Sequence, residues 1–537
     1  MVKFVLVMLA GMVLGLPGFA QPAAKPAAAS SAPATRLKQV AYIKASNPHA
    51  GDHFGNGGTL EGHGVAMSGD GGTLAVGAPY ESGNAKGVNG NQNDTSLYSA
   101  GAVYVYTHPK GNLSAWTQQA YIKASNPGQS FRFGQVVTLS QDGNTLAVSS
   151  FYEASEAKGV NGNQDDKSIP QAGAVYVFTR SGNTWTQQAY IKASNTGEKA
   201  KGNVPDEGDQ FGFSLALSAD GNTLAAGAIS EDSAAKGING DQNDNTAASS
   251  GAVYVYTRSA STWSQQAYVK ASNTDANDLF GYAVGLSADG STLAVSAYDE
   301  DSSARTINGV MDRNRRGSGA IYVFSRTGTN WAQTAYLKAS NAENGDSLGY
   351  DMAISQDGNT IVGGSGDEDC FASGVNPAAA CDDDYKTDTS TGAVYVFVRN
   401  AGTWTQQAFI KSSHPSNEDW FGARLNLSGD GNMLAVGAQL ENGNSKGING
   451  NQNDLTAEDS GAIYLFSRSG TTWVQEAYFK GSNTEAYDEF GSSMALSSDG
   501  KVIAIGARSE GSAAKGVNGN QSDNSAMGAG AVYVFTR

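Results

Sequence analysis

Between Phe211 and Asn273 short apolar runs alternate with clusters of Gly, Asp, Asn and Ser; the runs fall at 214–218, 223–227, 252–257 and 263–271. Runs of this length, rich in Val, Leu, Ala, Tyr and Trp and bounded by turn residues, predict a meandering four-stranded antiparallel sheet. Ser-Ala-Asp-Gly joins the first two runs, and Asp-Gly readily supplies the positive φ of a tight hairpin. The third run is apolar at nearly every position, so both of its faces are expected to be covered. The fourth mixes apolar and polar residues, which suits an outer strand with one side in water.

This unit occurs seven times, marked by Asp70-Gly71, Asp142-Gly143, Asp220-Gly221, Asp289-Gly290, Asp357-Gly358, Asp430-Gly431 and Asp499-Gly500. Repetition at a period of about seventy residues, with sheets covered on both faces, predicts an all-β, seven-bladed β-propeller of four-stranded antiparallel blades. The first motif of the chain is a fourth run (Val40 to Ser46) and the last is a third run (Gly530 to Arg537). The N-terminal strand is therefore expected to complete the last blade. Each fourth run carries a lysine near its end (Lys44, Lys123, Lys192, Lys270, Lys338, Lys411 and Lys480), read as solvated charges that discourage edge-to-edge pairing.

Phe-Gly opens most copies (Phe133-Gly134, Phe211-Gly212, Phe280-Gly281, Phe421-Gly422, Phe490-Gly491), with Leu348-Gly349 as a variant; Gly77-Ala78-Pro79 appears once, and Gly-x-Val/Ile-Tyr-Val/Leu closes every copy. In these motifs residues 40–537 resemble the FG-GAP repeats of integrin α-type propellers and their bacterial relatives. The resemblance implies the propeller fold and a binding or adhesion role. Repeats of that family often hold Ca²⁺ in an Asp-rich loop between the first two strands. Here a short Ser-x-Asp-Gly turn stands in that place and offers too few oxygens for the six to eight that Ca²⁺ prefers.

The first copy is irregular. Counting back from Asp70-Gly71 places Gly62 at the Phe-Gly glycine and makes 51–61 an insertion, bringing His53 and His63 near Asp52 and Glu61 without matching a zinc spacing. Residues 1–20 read as a signal peptide (Lys3, an apolar stretch, Gly18-Phe19-Ala20) and 21–36 as an Ala/Pro/Ser linker before a propeller at 37–537. Export places the protein in the periplasm, at the cell surface or outside the cell, as a monomer with no membrane insertion after cleavage. The net charge of −16 without a basic patch argues against nucleic acid. The two cysteines, Cys370 and Cys381, share one loop and are expected to form a disulfide.

The long loops, two-to-three and between blades, belong to one face of such a disc, so binding is expected there. A recurrent loop, Glu-x-Ser/Gly-x-x-Lys-Gly-Val/Ile-Asn-Gly-Asn/Asp-Gln-x-Asp, supplies candidate binding residues: Glu81, Asn89, Asp94, Glu153, Asp166, Glu231, Asp241, Asp244, Glu441, Asp454, Glu510 and Asp523. One account of it is structural, with Asn-Gly turning the chain and the Asp and Gln side chains satisfying backbone. The other has its oxygens collecting a cation such as Ca²⁺ or a polar ligand, with Asp241, Asp244, Asp367, Asp369, Asp382 and Asp384 as candidate metal ligands. Arg313 and Arg315 form a basic variant for an acidic partner, and Trp420, with Tyr80, Tyr152, Phe131 and Tyr487, offers an aromatic surface.

No His lies in a recognisable nucleophile or metal frame, so no catalytic residue is assigned. The sequence thus favours a non-enzymatic propeller recognising a protein or an extracellular polysaccharide. A carbohydrate-active protein (lectin, lyase or hydrolase) and a structural envelope component are the alternatives.

Overall fold

The unit that repeats is built as its runs suggest. In blade 3 the strands are Leu215–Leu217, Thr223–Ala228, Ala252–Ser259 and Thr262–Val269, paired antiparallel in that order. Ser218 accounts for the tightness of the first hairpin: its Oγ donates to Asp220 Oδ1 (2.6 Å) and accepts the Thr223 N–H (2.9 Å), while Gly221 takes φ 66°. The same device recurs in the other blades, for example at Ser68 and Ser497. The computed structural model describes residues 37–56, 63–197, 208–378, 381 and 389–537. The signal-peptide and linker readings, Glu61, Asp382 and Asp384 lie outside the described residues. Leu37–Arg537 forms one body of seven four-stranded antiparallel sheets.

Closure joins the chain ends. Lys38–Ile43 pairs antiparallel with Ala531–Thr536, setting Tyr42 opposite Tyr533 as Tyr268 stands opposite Tyr254 in blade 3. The third and fourth strands of every blade share one register shift, at Val255/Tyr256 in blade 3 and at Gln39/Ala41 in the closing pair. The N-terminal strand is thus a true fourth strand rather than a loose cover.

A second ring seals the opposite rim. The residue before each Asp-Gly donates its N–H to the equivalent residue of the next blade: Gly69 to Gln141, then Ala219, Ala288, Gln356, Gly429, Ser498 and back to Gly69, all at 2.8–2.9 Å. These short turns mark the turn face. The loops between strands two and three meet the blade crossovers on the other, where Ser130 N–H donates to Tyr98 O and Phe133 N–H to Ala100 O.

The core lies between blades. Phe133 of the Phe-Gly motif meets Tyr176 and Phe178 edge-on, as Phe211 meets Tyr254 and Tyr256. In blade 1 that place is taken by Phe54, against Tyr104 and Tyr106, and Gly55 N–H donates to Gly77 O as Gly134 N–H donates to Ser149 O. The motif of the first copy is therefore Phe54-Gly55, not Gly62, and the extra residues follow it instead of preceding it. Counting back from the hairpin crossed the insertion and lost the register.

Candidate functional site

The lysines of the fourth strands do not guard an exposed edge. Each is buried and reaches the glutamate that opens the two-to-three loop: Lys123–Glu81 2.6 Å, Lys192–Glu153 2.7 Å, Lys270–Glu231 2.7 Å, Lys480–Glu441 2.8 Å and Lys44–Glu510 2.6 Å. Blades 4 and 5 use Glu300 and Glu368 in the same way, at 3.0 and 3.8 Å. In blade 1 the other carboxylate oxygen accepts from Tyr121 Oη at 2.9 Å. The expectation that Glu81, Glu153, Glu231, Glu441 and Glu510 face a ligand is corrected: buried carboxylates paired in this way are scaffold. The reason is that the Lys-Gly-Val/Ile-Asn-Gly part of the loop folds outward over the fourth strand, pairing Val88 with Ile122, Ile238 with Val269 and Ile448 with Phe479. That backbone pairing protects the edge and seals the lysine beneath it.

The rest of the loop is equally occupied. Asn89 sits at φ 56° and its Oδ1 accepts the Tyr121 N–H at 3.0 Å. Asp94, Asp166, Asp244 and Asp523 accept backbone N–H groups two residues on, Asp454 accepts from Thr456 Oγ1, and Asp241 caps the Asn243 N–H. Asp369 accepts the N–H groups of Thr389 and Ser390 at 2.9 Å, and Asp367 meets the Tyr298 hydroxyl at 3.4 Å. These contacts follow the structural account of the loop. Arg313 pairs with Asp275 and Arg315 donates to Ala342 O, so the basic variant of blade 4 is tied to neighbouring crossovers. Cys370 and Cys381 are bonded to each other, so neither offers a thiolate to a metal beside Glu368.

The motif that opens each blade is longer than Phe-Gly. An aspartate stands two residues before the Phe or Leu in six blades: Asp52, Asp209, Asp278, Asp346, Asp419 and Asp488. All six are buried, and five accept the N–H of the residue three before them at 2.7–2.9 Å, fixing the crossover. Burial, with the nearby glutamates adding, raises Asp278 and Asp346 to about 8. Burial likewise raises Asp419 and Asp488 to about 7 and Asp52 to about 6.

The residue between that position and the Phe or Leu is left-handed in all seven blades: His53, Arg132, Gln210, Leu279, Ser347, Trp420 and Glu489, with φ between 52° and 58°. Glycine would hold that conformation without steric cost, so seven different non-glycine residues there point to a use for their side chains. They are joined by residues one or two places before the buried glutamates, Tyr80 and Tyr152 at the first and Tyr298 at the second, and by the residues that lead into the inner strands. Scaffold positions repeat from blade to blade, whereas these positions vary, the left-handed one carrying a different residue in each blade.

Together they make a band that passes through six blades at the axis. Arg132 lies between Tyr80 and Tyr152, 4.7 and 4.5 Å from the ring centroids. Tyr152 packs on Phe151, Phe151 on Phe213 and Phe213 on Tyr282, at 4.6, 5.5 and 5.1 Å. Tyr282 stacks on Tyr298 (4.7 Å) and meets Tyr350, which meets Trp420 at 5.9 Å.

Beneath it, His63 Nε2 of blade 1 lies 3.1 Å from Asp351 Oδ1 of blade 5. Those blades are not neighbours, so the contact crosses the channel. Asp351 Oδ2 accepts the Leu425 N–H at 2.7 Å, and buried Arg424 donates to Ser492 O and Ala423 O at 3.0 and 2.7 Å. A cavity of about 30 Å³ remains among His63, Tyr350, Asp351 and Arg424. A channel of about 280 Å³, lined mainly by inner-strand apolar residues, continues below. At the turn face Gln356 Nε2 donates to Ser498 Oγ at 2.8 Å across the mouth.

Of the residues singled out from sequence, Tyr80, Tyr152 and Trp420 are brought together here. Phe131 packs under Lys167 (5.7 Å) and Tyr487 donates to Glu458, and the His53, His63 and Asp52 grouping is dispersed. His53 packs on Tyr80, and Asp52 pairs with His49 at 3.3 Å. Phe213, Tyr282, Tyr298, Tyr350, Arg132 and the His63–Asp351 contact were missed. The signal that could have found them is variation within an aligned repeat.

The FG-GAP repeat family model matches residues 263–324 and 473–535, each stretch running from the fourth strand of one blade to the third of the next. No significant match emerges among curated protein sequences. Among solved structures, the periplasmic gluconolactonase of Pseudomonas aeruginosa aligns with TM-score 0.43 and 14% identity, over 79% of this chain and 86% of that one. Kuenenia stuttgartiensis hydrazine synthase aligns with TM-score 0.42 and 12% identity, over 86% and 94%. With seven four-stranded sheets and a closing N-terminal strand, the chain is a seven-bladed propeller that carries FG-GAP repeats at these two stretches.

Proposed function

We propose that the chain is an exported, non-enzymatic propeller that recognises a macromolecule, a protein or a surface polymer, through its loop face. One observation carries this reading. Of the eight large hydrophobic residues exposed among the described residues, seven (Tyr98, Val310, Met311, Phe371, Leu455, Tyr487 and Met527) lie in two-to-three loops or a crossover, and only Val474 lies in a strand. Exposed apolar groups gathered on one rim of an otherwise polar protein are a feature of interaction surfaces. The seven-fold scaffold holds that rim rigid, and its loops can differ without disturbing the blades.

The test compares the wild-type protein with a triple variant, Phe371→Ser/Leu455→Ser/Met527→Ser, and with the turn-face control Lys110→Ala. Each is immobilised and challenged with extracellular protein and polysaccharide fractions. Retention is expected to fall for the triple variant alone. Equal retention by all three overturns the reading.

A further inference from the structure

We infer that the centre of the loop face is a platform for an uncharged glycan chain, a site that rests on the loop face being the binding face and gives its ligand a chemical class. Tyr80, Tyr152, Tyr298 and Trp420 are each half-buried, so each exposes part of a ring rather than a whole side chain. All four are held by neighbours: Tyr80 and Tyr152 by Arg132, Tyr298 by its stack on Tyr282, Trp420 by Tyr350 and by its left-handed backbone. Rings fixed in this way lose little conformational freedom when a ligand lies on them.

A pyranose presents a C–H face to such rings and hydroxyls at its perimeter. The polar groups beside the band suit those hydroxyls: Gln210 and Ser230, linked at 3.1 Å, and Asp367. A protein hot spot uses the same residue types, Trp, Tyr and Arg, but ringed by contacts that exclude water, whereas Gln210, Ser230 and Asp367 stand beside these rings. The most exposed hydrophobic side chains of this face lie in the outlying loops, not in the band.

Charge sets the class more narrowly. The Arg132 guanidinium is flanked by two rings, and Arg508 pairs with Glu489 at 2.5 Å. Asp299 and Asp367 stand on the other side of the band, and the whole chain carries −16. That balance repels an anionic polymer and leaves stacking and hydroxyl recognition as the attraction.

The experiment is calorimetric titration of the full chain with hexasaccharides of β-1,4-linked glucose, xylose and mannose, and with oligogalacturonate as the acidic counterpart. At least one neutral hexasaccharide is expected to bind, Trp420→Ala and Tyr152→Ala each to weaken it about tenfold, and Trp420→Tyr to restore most of the affinity. Melting curves check that each variant is folded. The inference is overturned if no neutral hexasaccharide binds, if only oligogalacturonate binds, or if the neutral affinity is unchanged by Trp420→Ala and Tyr152→Ala. Should it be overturned while Phe371→Ser/Leu455→Ser/Met527→Ser still abolishes retention, the loop-face reading stands without the glycan. Should that triple variant retain its targets, the loop-face reading fails on its own test.

Discussion

Lys44 and Glu510 are 466 residues apart in sequence and 2.6 Å apart in space, with both side chains buried. The N-terminal strand therefore brings to the last blade the ion pair that every other blade forms within itself. Truncating one partner leaves a buried charge unpaired, which costs about 3–5 kcal/mol, whereas replacing both with apolar groups of similar volume is close to neutral. Lys44→Met is expected to lower the melting temperature markedly, and Lys44→Met/Glu510→Leu to recover most of the loss. A double variant as unstable as the single one would show that the pair is not what holds the closing strand.

Gly77, in the second strand of blade 1, tests contact between blades. A Cβ placed there would lie 1.9 Å from Gly134 O of the next blade. The neighbour is backbone and cannot turn aside, so Gly77→Ala is expected to cost about 1–3 kcal/mol by overpacking, read as a lower midpoint in urea unfolding. Gly87, with nothing within 4 Å of its would-be Cβ but φ +68°, separates crowding from backbone strain. Gly87→Ala should cost less than Gly77→Ala.

The buried crossover aspartates make stability depend on pH. Asp278 and Asp346 are raised from 3.8 to about 8, chiefly by burial, so between those values the folded chain holds protons that the unfolded chain has lost. Stability must then fall as pH rises through that window. Melting temperature is expected to decline from pH 5 to pH 8, and Asp278→Asn to flatten the slope. A flat profile across that range in the wild type would refute the assignment.

Asp351 closes the channel through His63 and the Leu425 N–H. Asp351→Ala leaves buried donors unsatisfied, a loss of about 1–3 kcal/mol. His63→Ala, at a partly exposed ring, should cost less. Solvent exchange of the Leu425 amide is expected to quicken in Asp351→Ala and to change little in His63→Ala.

Blade number, strand order, the closing strand and the division into a turn face and a loop face were legible in the sequence. They depend on local propensity and on a repeat that can be counted. The buried role of Lys123 and Glu81 was not legible, because a lysine at the end of an outer strand looks the same whether the strand meets water or lies beneath a folded-back loop. Phe54-Gly55 was hidden by the insertion that separates it from Asp70-Gly71.

The central band was hidden for a different reason. Tyr80, Tyr152, Tyr298 and Trp420 come from blades 1, 2, 4 and 6 and are no neighbours in the chain, and His63 meets Asp351 across 288 residues. The sequence by itself determined what each blade is, since hydrophobic period and turn chemistry act over a few residues. Only the closed ring decided which side chains share the axis, because that depends on the rotation from one blade to the next and on contacts no local pattern encodes.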